Sequence, residues 1–172
     1  MYISERFNLL QTLTMAVFFG TAVSVIFRGL AGSPQSFSSV VLTSLVFLLF
    51  LFRLRIMDDL KDAKHDKIFH PERPLSRGLV SKRELYITSV LAIGLELLVA
   101  YWVGPIAVGF FSVGFVYSLL LYIESVYVDS FRSHFSIYIF AHEIMLIPVL
   151  VYLALVSGVS LVELATPPAM FG

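Results

Sequence analysis

Apolar residues along this 172-residue chain gather into long runs separated by short polar interruptions, a pattern unlike the close alternation of a soluble fold. A bilayer-spanning helix needs about 20 mostly apolar residues. Five runs approach that length, at about 9–27, 37–52, 85–103, 106–123 and 137–156. The first ends at Arg28 and a turn-forming stretch from Gly29 to Ser36, where Gly32, Ser33 and Pro34 sit together. The third and fourth meet across Gly104-Pro105, too short a link for anything but an antiparallel hairpin. Pro148 lies inside the fifth and is expected to kink it, which a span tolerates when its neighbours re-satisfy the backbone. The pattern predicts an all-α, polytopic transmembrane bundle of about five spans. It forms a single domain over 1–172, with one long polar loop at 53–84.

Composition agrees, since 58% hydrophobic and only 14% charged residues lie far from the soluble average. The formal net charge of zero hides an asymmetry, because 9 of the 12 Lys and Arg residues fall between Arg53 and Arg83. Positively charged loops stay in the cytoplasm. With the N-terminus inside, Arg6, the loop cations and Arg132 are cytoplasmic, and only Arg28 falls on the far side. This orientation makes the 53–84 loop cytoplasmic and takes a prokaryotic inner membrane as the default. It puts the tail from Ser157 to Gly172 on the far side, with Thr166-Pro167-Pro168 marking an extended end. A nucleic-acid partner is not expected. The absence of cysteine excludes disulfides, thiolate metal sites and cysteine nucleophiles. The opening MYISERFNLL lacks the basic start and cleavage site of a signal peptide.

The loop from Arg53 reads RLRIMDDLKDAKHDKIFHPERPLSRGLVSKRE, with Asp59, Asp62 and Asp66 spaced i, i+3, i+7. On a helix continuing the second span these carboxylates share one face. Stacked like charges cost stability unless a cation or a basic partner neutralises them. Carboxylate oxygens suit Mg²⁺, which is usually completed by waters and substrate phosphates. The plainer reading is a solvated amphipathic helix tied by surface pairs such as Asp62 with Lys61 or Arg55. Against it stands the stretch His70-Pro71-Glu72-Arg73-Pro74-Leu75-Ser76-Arg77-Gly78, which stops the helix and supplies two arginines suited to forking onto phosphate oxygens.

The run Asp58-Asp59-Leu60-Lys61-Asp62-Ala63-Lys64-His65-Asp66 resembles the NDxxDxxxD signature of the UbiA superfamily of intramembrane prenyltransferases. Arg73-Pro74-Leu75 with Gly78 resembles that family's RPLxxG continuation. The resemblance implies that Asp59, Asp62 and Asp66 hold Mg²⁺ against a prenyl diphosphate. Asp58 occupies the position where the family often has Asn, and an acid there also suits a metal. It further implies Mg²⁺-assisted ionisation, with Arg73 or Arg77 stabilising the leaving diphosphate, the isoprenoid tail among the spans and transfer to an acceptor the residues do not specify. Family members have more spans and a second aspartate-rich motif. After the fourth span the acids on the cytoplasmic side are Glu124, Asp129 and Glu143, which form no such cluster. The expectations, in order, are the N-terminal half of a longer enzyme, a half-size homologue that pairs with a second chain, and an inactive relative. The rival class is a non-catalytic membrane protein, either a degenerate partner subunit or a transporter-like bundle with an acidic ion site. A calcium loop fails for want of the mid-loop glycine and closing glutamate. The landmarks of phosphatidyl-alcohol transferases are absent.

Other polar residues have two readings each. Glu96, in mid-span, is either a polar contact near substrate or, more often, a protonated acid bonded to a neighbouring span. His134, His142 and Glu143 read as interfacial anchors before a metal site, and Tyr117, Tyr122, Tyr127 and Tyr138 as an aromatic belt before a tunnel mouth. His65 and His70 flank the last motif aspartate as potential ligands or bases, although a loop histidine is usually only solvated. Gly104, Gly109 and Gly114 recur every five residues, so they do not share one face.

Overall fold

The computed structural model describes residues 2–127 and 135–166, and these are helical throughout apart from their connections. In chain order the helices are α1 (Tyr2–Arg6), α2 (Leu9–Leu30), α3 (Phe37–Lys61), α4 (Ala63–Phe69), α5 (Lys82–Val103), α6 (Pro105–Tyr127), α7 (Phe135–Val156) and α8 (Leu161–Ala165). Helices α2, α3, α5 and α6 are long and apolar enough to cross a membrane, and α7 adds a shorter apolar stretch, Glu143–Val156. A helix of 22 residues such as α2 rises about 33 Å, close to the thickness of a hydrocarbon core. The five apolar runs are therefore five helices of a multi-pass membrane bundle.

Local chemistry sets the helix ends. The side chains of Asn8 and Ser36 accept from the amides of Gln11 and Ser39, satisfying first-turn donors of α2 and α3. Ser81 and Glu84 form a capping box that starts α5 three residues before its apolar run, at Lys82. Gly104 takes a positive φ of 138° and Pro105 opens α6, so the hairpin read from this dipeptide is present. After the fifth apolar run the described residues hold a feature the apolar pattern did not predict, the short helix α8, started by a Ser160–Glu163 capping box and ending before Thr166.

Among lipid tails apolar burial does not drive helices together, so close packing of small residues and polar contacts must do so. The tightest crossing joins α2 to α3, where a Cβ added to Gly20 would lie 2.6 Å from the Ser44 Cα. Ala100 of α5 and Ala107 of α6 are sealed beside the hairpin, and Gly114 of α6 lies over Val149 and Pro148 of α7. The outer surface carries Leu10, Phe18, Leu91, Leu98, Tyr101 and Trp102, each well exposed, as expected for a lipid-facing surface. At the end of the bundle away from the aspartates, Arg28 donates to the carbonyls of Pro34 (2.8 Å) and Ser157 (2.7 Å), tying the α2–α3 turn to the end of α7.

Candidate functional site

The aspartates occupy the polar end of α3 and the helix after it. The second span does not stop at Phe52, because α3 continues to Lys61 and turns Arg53, Ile56, Asp59 and Leu60 inwards. Arg53, read from the sequence as the first residue of the loop, is instead 2% exposed within the bundle. One continuous helix through all three motif aspartates is also not what forms. The chain bends at Asp62, which ends α3 and begins α4, while the amide bonds from Asp62 to Asp58 (2.9 Å) and from Asp66 to Asp62 (2.8 Å) carry the turn across. Aspartate is a poor helix-interior residue, which makes a break at Asp62 inexpensive, although its side chain makes no capping hydrogen bond to α4. The inward face survives it, since Asp59 and Asp66 are buried, Asp62 is half-buried and Asp58 is exposed.

Each buried carboxylate is met by an arginine from another segment. Asp59 accepts from the Tyr2 hydroxyl at 2.7 Å and from Arg6 Nε at 3.0 and 3.1 Å, and a second Arg6 nitrogen reaches the same carboxylate. Asp66 pairs with Arg73 through Oδ1. Burial alone would raise the pKa of Asp66, but the Arg73 hydrogen bond and charge, helped by Arg6, outweigh it and hold the group below its ordinary value. For Tyr2, burial followed by the Asp59 hydrogen bond and charge pushes the phenol well up, so it stays a donor at neutral pH. The surface pairs expected for Asp62 do not form among the described residues. Lys61 instead meets Asp58 at 3.5 Å, and Arg55 lies 3.9 Å from Asp59.

The segment after α4 explains its own sequence. His70 ends α4, Pro74 is buried, and Leu75 packs on Ile56, Leu60 and Leu85. The Leu79 amide bonds back to the Pro74 carbonyl at 2.9 Å, and Gly78 closes the turn at φ 73°, a conformation that disfavours any side chain. This compact turn presents Arg73 to Asp66 and carries Arg77 outward to Glu5. At the α3 end that carries the motif, a cavity of about 120 Å³ between α3, α6 and α7 has Asp58 and Lys61 in its wall together with Leu54, Met57, Leu121 and Met145. Polar and apolar surfaces thus adjoin at the motif end.

Among the described residues, the group of three or more ligating side chains whose atoms fall within 4.8 Å of one another is His65, Asp66 and His70. The three motif aspartates do not converge that closely. Glu96 is bonded to a neighbouring span, and its partner is charged: Arg53 Nε donates to it at 2.9 Å, deep in the bundle. Glu143 is exposed. Asp129, Arg132 and His134, and the side chains of Glu124, Tyr127, Tyr138 and His142, lie outside the described residues.

Sequence reading missed Tyr2 and Arg6 as partners of the motif. A signal existed, because the N-terminus and the loop after the second span must lie on the same side of the membrane. The sequence model of the UbiA prenyltransferase family matches residues 17–171. No curated protein and no solved structure gives a significant match.

Proposed function

Because the chain belongs to the UbiA prenyltransferase family, a family of membrane prenyltransferases, we propose that it binds an isoprenyl diphosphate at the α3–α4 aspartates and takes part in Mg²⁺-dependent transfer of the isoprenyl group to an acceptor in the membrane. The observation that carries this reading is the pairing of two buried carboxylates, Asp59 and Asp66, with arginines borne on separate segments at the polar end of an apolar bundle.

The donor set fits the metal. Asp59, Asp62 and Asp66 offer oxygen alone, which suits Mg²⁺, and the burial of Asp59 and Asp66 beside arginines supports a place that requires positive charge. Bound there, Mg²⁺ would neutralise charge gathering on the departing diphosphate. The chain's own residues do the rest. Arg73 and Arg77 are placed to exchange their carboxylate partners for phosphate oxygens, for which the planar guanidinium is a matching fork. In the reaction the bond from the allylic carbon to the diphosphate oxygen breaks, its electron pair leaves with diphosphate, and the acceptor supplies the new bond and loses a proton. The cavity flanked by Asp58 and lined by Leu54, Met57 and Leu121 would receive the first part of the isoprenoid chain.

In this reading residues 1–172 form a single transmembrane domain equivalent to the N-terminal half of such an enzyme. The motif loop faces the cytoplasm across a prokaryotic inner membrane, and a second aspartate cluster comes from further sequence or a second chain. The test is Mg²⁺-dependent binding of an isoprenyl diphosphate to the purified chain in detergent, compared with Asp62→Ala and Asp66→Ala. Binding that needs Mg²⁺ and is lost in both variants supports the assignment. Binding that is absent, or unchanged by both substitutions, overturns it in favour of a non-catalytic bundle.

A further inference from the structure

We propose that His65, Asp66 and His70 form a second kind of metal site, one that takes a late first-row dication such as zinc. One ligand atom from each lies within 4.8 Å of the others. Asp66 and His70 are i, i+4 neighbours on an unbroken helical turn, since the His70 amide donates to the Asp66 carbonyl at 2.8 Å. His65 stands beside them, with Nδ1 3.8 Å from Asp66 Oδ1 and its ring centroid 6.1 Å from that of His70.

Neighbours orient both rings. His65 stacks on Phe69 at a centroid distance of 4.5 Å. His70 Nδ1 lies 3.4 Å from Glu72 Oε1, close enough for that carboxylate to take the ring's second N–H once a metal is bound at the other nitrogen. Zinc–nitrogen bonds of about 2.0–2.1 Å place tetrahedral ligands about 3.4 Å apart, so the present spread must shrink by an ångström or so. The His65 and His70 side chains are 61% and 41% exposed, which leaves them room to make that shift. Arg73 occupies Asp66 Oδ1, yet a carboxylate has about four acceptor positions and is not exhausted by one arginine.

The donor set decides the metal class. Two imidazoles and one carboxylate favour zinc, cobalt, nickel or copper over magnesium, and three protein ligands leave a coordination position open. Asp66 would thus serve two metals of different chemistry. An ion held by the histidines withdraws it from the diphosphate site and inhibits, a consequence that rests on the function proposed above, whereas the binding itself does not.

The test uses the full chain, purified without a polyhistidine tag and titrated with cobalt(II) in excess Mg²⁺. The readouts are the visible absorption of bound cobalt and its displacement by zinc. The wild type is expected to saturate, His65→Ala and His70→Ala each to lose the spectrum, and Asp59→Ala to keep it. Circular dichroism confirms that each variant is folded. A wild type that binds no cobalt against Mg²⁺, or a folded double histidine variant that binds it unchanged, overturns the site. In a second arm, zinc should block Mg²⁺-dependent prenyl diphosphate binding in the wild type but not in the double variant. Diphosphate binding that fails without zinc while the cobalt site is intact would overturn the functional reading and leave the metal site standing.

Discussion

Arginine–carboxylate pairs occur at two depths of this bundle, and the surroundings of the arginine separate them. In the deep pair both side chains are sealed, Arg53 at 3% and Glu96 at 2% exposure. Arg53 also donates to Ser118 at 3.0 Å and lies over the rings of Phe50 and Phe115, and the Tyr152 hydroxyl reaches the Glu96 carbonyl at 2.8 Å. One node thus joins α3, α5, α6 and α7. About 9 Å further along α3 the second type begins, at Asp59. There the acids are sealed, Asp59 at 4% and Asp66 at 6%, while Arg6 and Arg73 remain 12% and 27% exposed on α1 and the loop after α4. A pair sealed on both sides has no cheap alternative partner, because either charge alone in that setting is strongly unfavourable. A sealed acid with an accessible arginine can change its cation. The same two chemical groups therefore form a fixed joint in one place and, in the function proposed above, an exchangeable ligand set in the other.

Breaking the deep joint should have the largest effect. Glu96→Ala leaves a guanidinium buried without its counter-charge and is expected to cost about 3–5 kcal/mol, measured by circular dichroism during unfolding in detergent. The double replacement Arg53→Met with Glu96→Leu should recover most of that loss, because neither charge is then stranded. If Glu96→Ala proves no more damaging than Asp66→Ala, the two kinds of pair are not different. At the motif end, Asp66→Ala should abolish Mg²⁺-dependent diphosphate binding while changing stability by about 1 kcal/mol or less, since Arg73 can turn to water. Arg73→Lys is milder. It keeps the charge and loses the fork, so diphosphate affinity should fall about fivefold, equivalent to roughly 1 kcal/mol.

The motif end was legible to the extent that chemistry follows residue order. Apolar run length located five helices, Gly104-Pro105 located the hairpin, and the spacing of Asp59 and Asp66 placed both on one face, which the fold turns inward. What stayed hidden depends on contacts across the fold. Arg53 reads as a loop cation because a charge ends an apolar run, and only the facing Glu96, 43 positions away, makes it an interior residue. Tyr2 and Arg6 stand 57 and 53 positions from Asp59, too far for any local pattern to join them. The break at Asp62 was missed because helical spacing was extended through a residue that favours helix ends. Capping is legible in principle, since Ser81 precedes Glu84 by three positions, but the apolar run by itself marks a start only at Leu85.

The smallest effect tests whether Asp66 behaves as an ionised partner of Arg73. Its folded pKa lies below the ordinary aspartate value of about 3.9, so the folded state binds its proton less readily than the unfolded chain does. The sign follows directly. The pair's contribution to stability is fully present above the unfolded pKa and is lost as pH falls through the lower, folded one. Wild type and Asp66→Asn should therefore differ by a constant amount above about pH 5 and converge as pH drops below about 4. The measurement is unfolding followed by circular dichroism across that range. A difference that instead changed with pH near neutrality would mean that Asp66 is still protonated there in the folded protein, and a protonated acid would make a poor ligand for either kind of cation. Because Arg73 is partly solvated, the change should be well below that caused by Glu96→Ala, which is the ordering expected if one pair is exchangeable and the other fixed.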